Sequence, residues 1–126
     1  MFLKSPEILQ MARAQARHAA ARLEGGARNV ANADTPGYQA GRLPSFAEVW
    51  DRREGMRATR AGHLDGGGRR TVSAVPDLRD LSPNGNSVSL ETEMTEAALA
   101  RQAHDIALAI QSGLSGLVRQ GLGRRS

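Results

Sequence analysis

The side chains able to do chemistry are few and poorly spaced for it. There are three histidines, His18, His63 and His104, and no Cys. None of them has a second His or a thiolate at the spacing a metal ion requires. His104 and Asp105 are neighbours in sequence, but consecutive helical residues point in different directions, so they do not make a base and its orienting carboxylate. Glu91, Glu93 and Glu96 offer three carboxylates, yet their place at the start of a helical stretch suits the helix dipole better than a paired acid and base. Gly66-Gly67-Gly68 before Arg69-Arg70 superficially suggests a phosphate cradle, but no Lys-Ser/Thr pair follows and no strong strand precedes it. It reads as a flexible linker. The expectation is a non-enzymatic protein with no cofactor and no metal.

The bulk composition points the same way. The chain has 126 residues, room for one structural domain, and only 3 % of them are aromatic: Phe2, Tyr38, Phe46 and Trp50. Its apolar share is mostly Ala, Leu and Val, which bury little area per residue, so a large self-sufficient core is not expected and association with neighbouring subunits is. The net charge is +4, and Lys4 is the single Lys among 17 basic residues. Arg13, Arg17, Arg22, Arg28, Arg42, Arg52, Arg57 and Arg69 are scattered rather than gathered, which favours solvated faces and ion pairs over a nucleic-acid surface. The first residues lack the apolar core and cleavage site of a signal peptide, and no window is apolar enough to insert into a membrane as a helix.

Two helical segments must position whatever the protein presents. The first is predicted over 5–32, with Ser5 as N-cap, Pro6 at the first helical position and Glu7 in the first turn. Leu9, Ala12, Ala16, Ala19, Leu23, Gly26 and Val30 alternate three and four apart, the spacing of a coiled-coil seam. The second is predicted over 88–122, where Leu99, Ala103, Ile106, Ile110, Gly113 and Leu117 repeat the pattern. The fold class is therefore mainly α: two long helices, N- and C-terminal, paired as a coiled-coil hairpin around an irregular insert rich in Gly, Pro and Arg. The divisions are 1–40, 41–87 and 88–126. Within the insert, LPSFAEVW reads as a short turn of helix and RTVSAV as a short strand.

The string "RNVANADTPGYQA" (28–40) stops the first helix by an explicit mechanism. Pro36 disfavours helical backbone at Thr35, and Thr35-Pro36-Gly37-Tyr38 matches a type II turn with Pro second and Gly third. Asn29 and Asn32 share one face of the last helical turn, where their amides can satisfy end carbonyls or reach a neighbouring chain.

This string closely resembles the N-terminal signature of bacterial flagellar axial proteins, an Asn-apolar-Ala-Asn helix end followed by a Thr-Pro-Gly-Tyr turn. With the small size and the segment "NGNSVSLETEMTEAA" before the last helix, the resemblance is to the basal-body rod proteins, and among them to the proximal rod. It covers both helical ends, about 11–40 and 84–122, and is weak across the insert.

What the resemblance implies is a structural subunit of the proximal rod that joins its helices in an inner layer, assembles helically around the export channel and transmits torque. The implied partners are further copies of itself, other rod proteins, the inner-membrane ring with its rod adaptor, and the type III export apparatus, with no nucleic acid and no membrane insertion. The implied place is the periplasmic rod, reached without a cleaved signal peptide. Asn29, Asn32, Asp34, Thr35, Pro36, Gly37 and Tyr38 are the residues expected to form the turn and subunit contacts. Another rod subunit, and an Arg-rich helical DNA-binding protein, are the alternatives.

Overall fold

A computed structural model describes residues 5–54 and 72–123; the readings of His63, Gly66-Gly67-Gly68 and Arg69-Arg70 lie outside them. Five elements follow in order: α1 (Ser5–Ala31), β1 (Ala40–Arg42), α2 (Phe46–Glu54), β2 (Val75–Asp77) and α3 (Leu90–Gly123). The end of α1 at Ala31 and the start of α3 at Leu90 fall within two residues of the predicted limits. α3 starts at Leu90 rather than 88 because Ser89 caps it: its Oγ accepts the Thr92 N–H at 3.4 Å and its carbonyl the Glu93 N–H at 2.9 Å.

α1 and α3 pack side by side as a hairpin. They run antiparallel, since Arg22 meets Glu96 while Asn29, two turns further along α1, meets Glu93. Gly26 lies opposite Glu93, where a Cβ would sit 3.4 Å from the carboxylate oxygen Oε2. One heptad along, this register sets Ala19 level with Ala100, and the next heptad Ala12 with Ala107. All four alanines are buried, so small residues line both sides and the helix axes approach closely. Among the described residues the buried apolar residues are these four and Ala40.

The face that α3 turns to α1 differs from the predicted seam. Leu99, Ile106, Ile110 and Leu117 are 49, 49, 40 and 65 % exposed, Gly113 is exposed and Ala103 half-buried. The heptad is present but displaced by one residue, to Glu93, Ala100 and Ala107. The reason is steric: the Ala and Gly of α1 form a narrow groove that admits an alanine, and the branched side chains lie beside the contact. On α1, Ala12 and Ala19 are buried as expected, Leu9, Ala16 and Leu23 half-buried, and Val30 exposed.

β1 and β2 pair antiparallel, with Ala40 opposite Asp77, Gly41 opposite Pro76 and Arg42 opposite Val75. The predicted strand RTVSAV overlaps β2 only at Val75. Pro76 has no N–H, so Gly41 and Pro76 form a non-hydrogen-bonded pair, which turns the Gly41 N–H and C=O away from β2. α2 extends the predicted helical turn to Glu54. Ser45 caps it, with Oγ 3.4 Å from the Glu48 N–H. Phe46 packs edge-on against the His18 ring of α1, centroids 5.7 Å apart, and Trp50 lies 5.8 Å beyond Phe46. The His18 Nε2 proton is donated to the Pro44 carbonyl at 2.8 Å.

Candidate functional site

Two short segments, one just before the insert and one at its far end, meet at the end of the hairpin. The first is the helix stop. Helix α1 tightens as it ends, with Asn32 N–H bonding Asn29 C=O and Ala33 N–H bonding Val30 C=O, both at 3.1 Å. Asn32 Nδ2 caps the Arg28 carbonyl at 2.9 Å, and Asn32 Oδ1 accepts the Thr35 hydroxyl at 3.3 Å. The turn closes with Tyr38 N–H on Thr35 C=O at 3.2 Å, and Gly37 has φ +74°. Pro second with positive φ third is the type II turn expected from the sequence.

The second segment is Ser82-Pro83-Asn84-Gly85-Asn86-Ser87, which folds over that turn. Gly37 N–H bonds Asn84 C=O at 3.0 Å, and Ser87 N–H bonds Tyr38 C=O at 3.0 Å. Asn86 is the pin: its Nδ2 donates to Asn32 C=O at 2.9 Å and Thr35 C=O at 2.8 Å, while its Oδ1 accepts the Val88 N–H at 2.8 Å. Ser87 Oγ accepts the Ala40 N–H at 2.8 Å. Gly85, φ +83°, lies so close that a Cβ would stand 3.2 Å from Gly37 Cα. Two left-handed glycines thus pack backbone to backbone, and any side chain would part them.

Beneath this clasp runs a polar chain through the hairpin. Asn29, buried, uses its whole amide: Nδ2 donates to Gly41 C=O at 3.0 Å and Glu93 Oε1 at 3.1 Å. Its Oδ1 accepts the Gly41 N–H at 3.0 Å and the Tyr38 hydroxyl at 3.2 Å. Glu93 Oε1 also meets Arg42 Nη2 at 2.6 Å, with the Glu93 side chain 1 % exposed. Arg42 Nε donates to Asp77 Oδ2 at 3.1 Å, and Asp77 is bridged to Arg79 at 2.7 Å. Hydrogen bonding to Glu93 raises the Arg42 pKa above its usual value against the effect of burial. Hydrogen bonding from Arg79, aided by Arg42 and opposed by burial, holds the Asp77 carboxyl well below the ordinary range. Arg79 is raised by the same partner. Among the described residues the four buried polar residues, Asn29, Asn86, Ser87 and Glu93, all belong to this site.

The site therefore gathers some of the predicted residues and not others. Asn29 is enclosed by its own chain rather than offered to a neighbour, because its amide completes the free side of β1 at Gly41. Asn32 caps a carbonyl, as anticipated. Asp34, Thr35, Pro36 and Gly37 are exposed and Tyr38 half-buried. Glu93, read as a helix-start acid, is the buried centre; Asn86, Ser87, Arg42 and Asp77 were not singled out. A signal for Glu93 exists, since it continues the heptad of Ala100 and Ala107 one step toward the N-terminus of α3. Arg22 and Arg28 do not stand as free charges: Arg22 pairs with Glu96 at 2.6 Å and Arg28 with Glu24 at 3.1 Å. Nor do the described residues gather His, Asp or Glu into a group that could hold a metal ion, and none of their helices is long and apolar enough to cross a membrane.

What these features do chemically is join: they tie a helix end, a turn, two strands and a second helix into one unit. No family profile matches the chain. It is 31 % identical over 111 residues to the flagellar basal body rod protein FlgB of Agrobacterium fabrum, in an alignment covering 79 % of this chain and 81 % of that protein. With the helix-stop turn, the Asn-Gly-Asn segment and the paired terminal helices all in place, the chain belongs to the FlgB family of flagellar basal body rod proteins.

Proposed function

We propose that this rod subunit of the flagellar basal body builds the proximal part of the rod, stacking helically around the export channel and carrying torque. The observation that supports this most is the apolar stripe of α3 that the hairpin leaves uncovered. Leu99, Ile106, Ile110 and Leu117 lie along one side of the helix and are 40 to 65 % exposed, while the chain's own seam holds little but alanine. Fully burying such a side chain contributes about 1.5–3 kcal/mol, so covering the part still exposed contributes roughly half of that at each position. The stripe is a seam for helices of adjacent subunits, whether further copies or other rod proteins.

In this reading the clasp is the rigid corner through which load passes from α1 to α3, and the exposed Asp34, Thr35 and Pro36 at its surface are lateral contacts. The inner-membrane ring and its rod adaptor are the proposed partners at the base, and the export apparatus the route to the periplasm. No catalysis is assigned.

The test is complementation of a strain lacking this protein by the Ile106→Ser, Ile110→Ser double variant. Loss of swimming and of complete rods in isolated basal bodies is expected, with the helix content of the purified chain unchanged by circular dichroism. Normal swimming with complete rods would overturn the assignment of the stripe to assembly.

A further inference from the structure

The clasp contains a bond that can react without any enzyme. Asn84 and Gly85 are the one Asn-Gly pair in the chain; the other three asparagines, Asn29, Asn32 and Asn86, precede Val30, Ala33 and Ser87. A glycine after Asn leaves the path from its amide nitrogen to the Asn carboxamide unobstructed by a side chain. Asn84 is exposed, so water has access. Asn86, by contrast, is buried, and its amide is engaged at both ends.

In the closed clasp the reacting groups are tied down by hydrogen bonds. Ring closure requires rotation about the Asn84 Cα–C bond, which moves both the Asn84 carbonyl and the Gly85 nitrogen. The carbonyl is pinned by the Gly37 N–H at 3.0 Å and the nitrogen by Ser82 C=O at 2.9 Å. The carboxamide is fixed too, its Oδ1 accepting the Asn86 N–H at 3.0 Å. Opening the clasp frees the carbonyl directly and leaves the two bonds within residues 82–86 without the packing of Gly85 on Gly37 that supports them.

We infer that Asn84–Gly85 is a spontaneous deamidation site guarded by the closed clasp, so that chains whose clasp is open age at this one residue. The Gly85 nitrogen, giving its proton to water, forms a bond to Asn84 Cγ; the Cγ–Nδ2 bond breaks and ammonia leaves, giving a succinimide. One water then opens the ring. Cleavage at Cγ yields aspartate, and cleavage at the main-chain carbonyl yields isoaspartate. In isoaspartate the chain runs through Cβ and Cγ, and the carbonyl that held Gly37 becomes a free carboxylate. Such a chain, its backbone one carbon longer, cannot rebuild the Gly37 contact in its original geometry, so isoaspartate at this position marks chains that did not fold promptly.

The test is peptide mapping of the whole chain by mass spectrometry after timed incubation at neutral pH, with isoaspartate detected by enzymatic methylation. Samples are the free chain in buffer and in urea, the Asn86→Ala variant in buffer, which loses the pin but keeps the Asn-Gly pair, and basal bodies isolated from swimming cells. Circular dichroism of the free samples defines which are folded. Conversion at Asn84 is expected in urea and in the Asn86→Ala variant, and about tenfold or more slower in the folded sample, the ratio for a clasp closed by about 1.4 kcal/mol. If the free chain is unfolded in buffer, the basal body serves as the folded sample. Equal conversion in folded and urea-treated chains, or an unconverted Asn84 in urea, would overturn the proposal. Conversion of Asn29, Asn32 or Asn86 at a rate equal to that of Asn84 would do so as well.

Discussion

Glu93 of α3 and Arg42 of β1 meet at 2.6 Å with the carboxylate 1 % exposed, so the charge that holds the insert to the hairpin lies in its interior. Among the described residues, the second oxygen of that carboxylate, Oε2, accepts no hydrogen bond and rests against Gly26. A buried ion pair contributes little relative to a well-packed apolar pair, but removing one partner strands the other. Glu93→Ala should therefore cost about 3–5 kcal/mol, read as a drop in the urea midpoint by circular dichroism. A change within a few tenths of a kcal/mol would place Glu93 outside the structural core.

The glycines divide into those the fold needs and those it tolerates. Nothing lies within 4 Å of a Cβ placed on Gly25, so Gly25→Ala should stabilise α1 by about 1 kcal/mol through helix propensity. Gly85→Ala should destabilise by about 1–3 kcal/mol from the left-handed backbone alone, with the 3.2 Å approach to Gly37 Cα adding to it. Thermal unfolding of the two variants beside the parent decides both.

The Asp77 carboxyl gives the fold a dependence on acid. Its pKa is depressed in the folded chain, chiefly by hydrogen bonding from Arg79, so protons bind the unfolded chain more readily. The stabilisation it supplies is thus complete above the unfolded value near 4 and lost as pH falls below it. Arg79 is exposed, so solvent and salt weaken the effect. Urea midpoints from about pH 6 down to about pH 2 should fall less steeply for Asp77→Asn than for the parent. Parallel curves would refute the assignment.

The hairpin register can be read by cross-linking, because the chain has no Cys of its own. Ala19→Cys with Ala100→Cys should form a disulfide under mild oxidation, since these positions face each other across the close seam. Ala12→Cys with Ala100→Cys, one heptad out of step, should not. A disulfide in the second pair as efficient as in the first would mean that the helices slide.

Local chemistry made the end of α1, the start of α3 and the turn at Thr35-Pro36-Gly37-Tyr38 legible in the sequence. Capping residues, a proline and a glycine with positive φ act within a few positions of themselves. The heptad spacing was legible too, but not which side of α3 faces α1. Leu99 and Ile106 outrank Ala100 and Ala107 on any scale of hydrophobicity, and only the narrow groove made by Ala12, Ala19 and Gly26 reverses the order. Neither the pairing of Arg42 with Glu93 nor the pin at Asn86 could be read beforehand, because each joins residues about fifty apart in sequence. Both depend on the antiparallel meeting of helices that brings "NADTPGY" and "NGNS" together. Asn29 was singled out as an end-of-helix amide, and what the string could not convey is that its partner would be the peptide of Gly41.

That last pairing has a consequence for how copies of the chain are able to join. A two-stranded sheet ordinarily offers two open rims onto which a strand of another molecule can add. Here the rim of β1 is occupied at Gly41 by the amide of Asn29, which imitates a neighbouring peptide. The rim of β2 carries Pro76, which has no proton to give. With both rims blunted, strand-by-strand growth of the amyloid kind is disfavoured even where copies are crowded together.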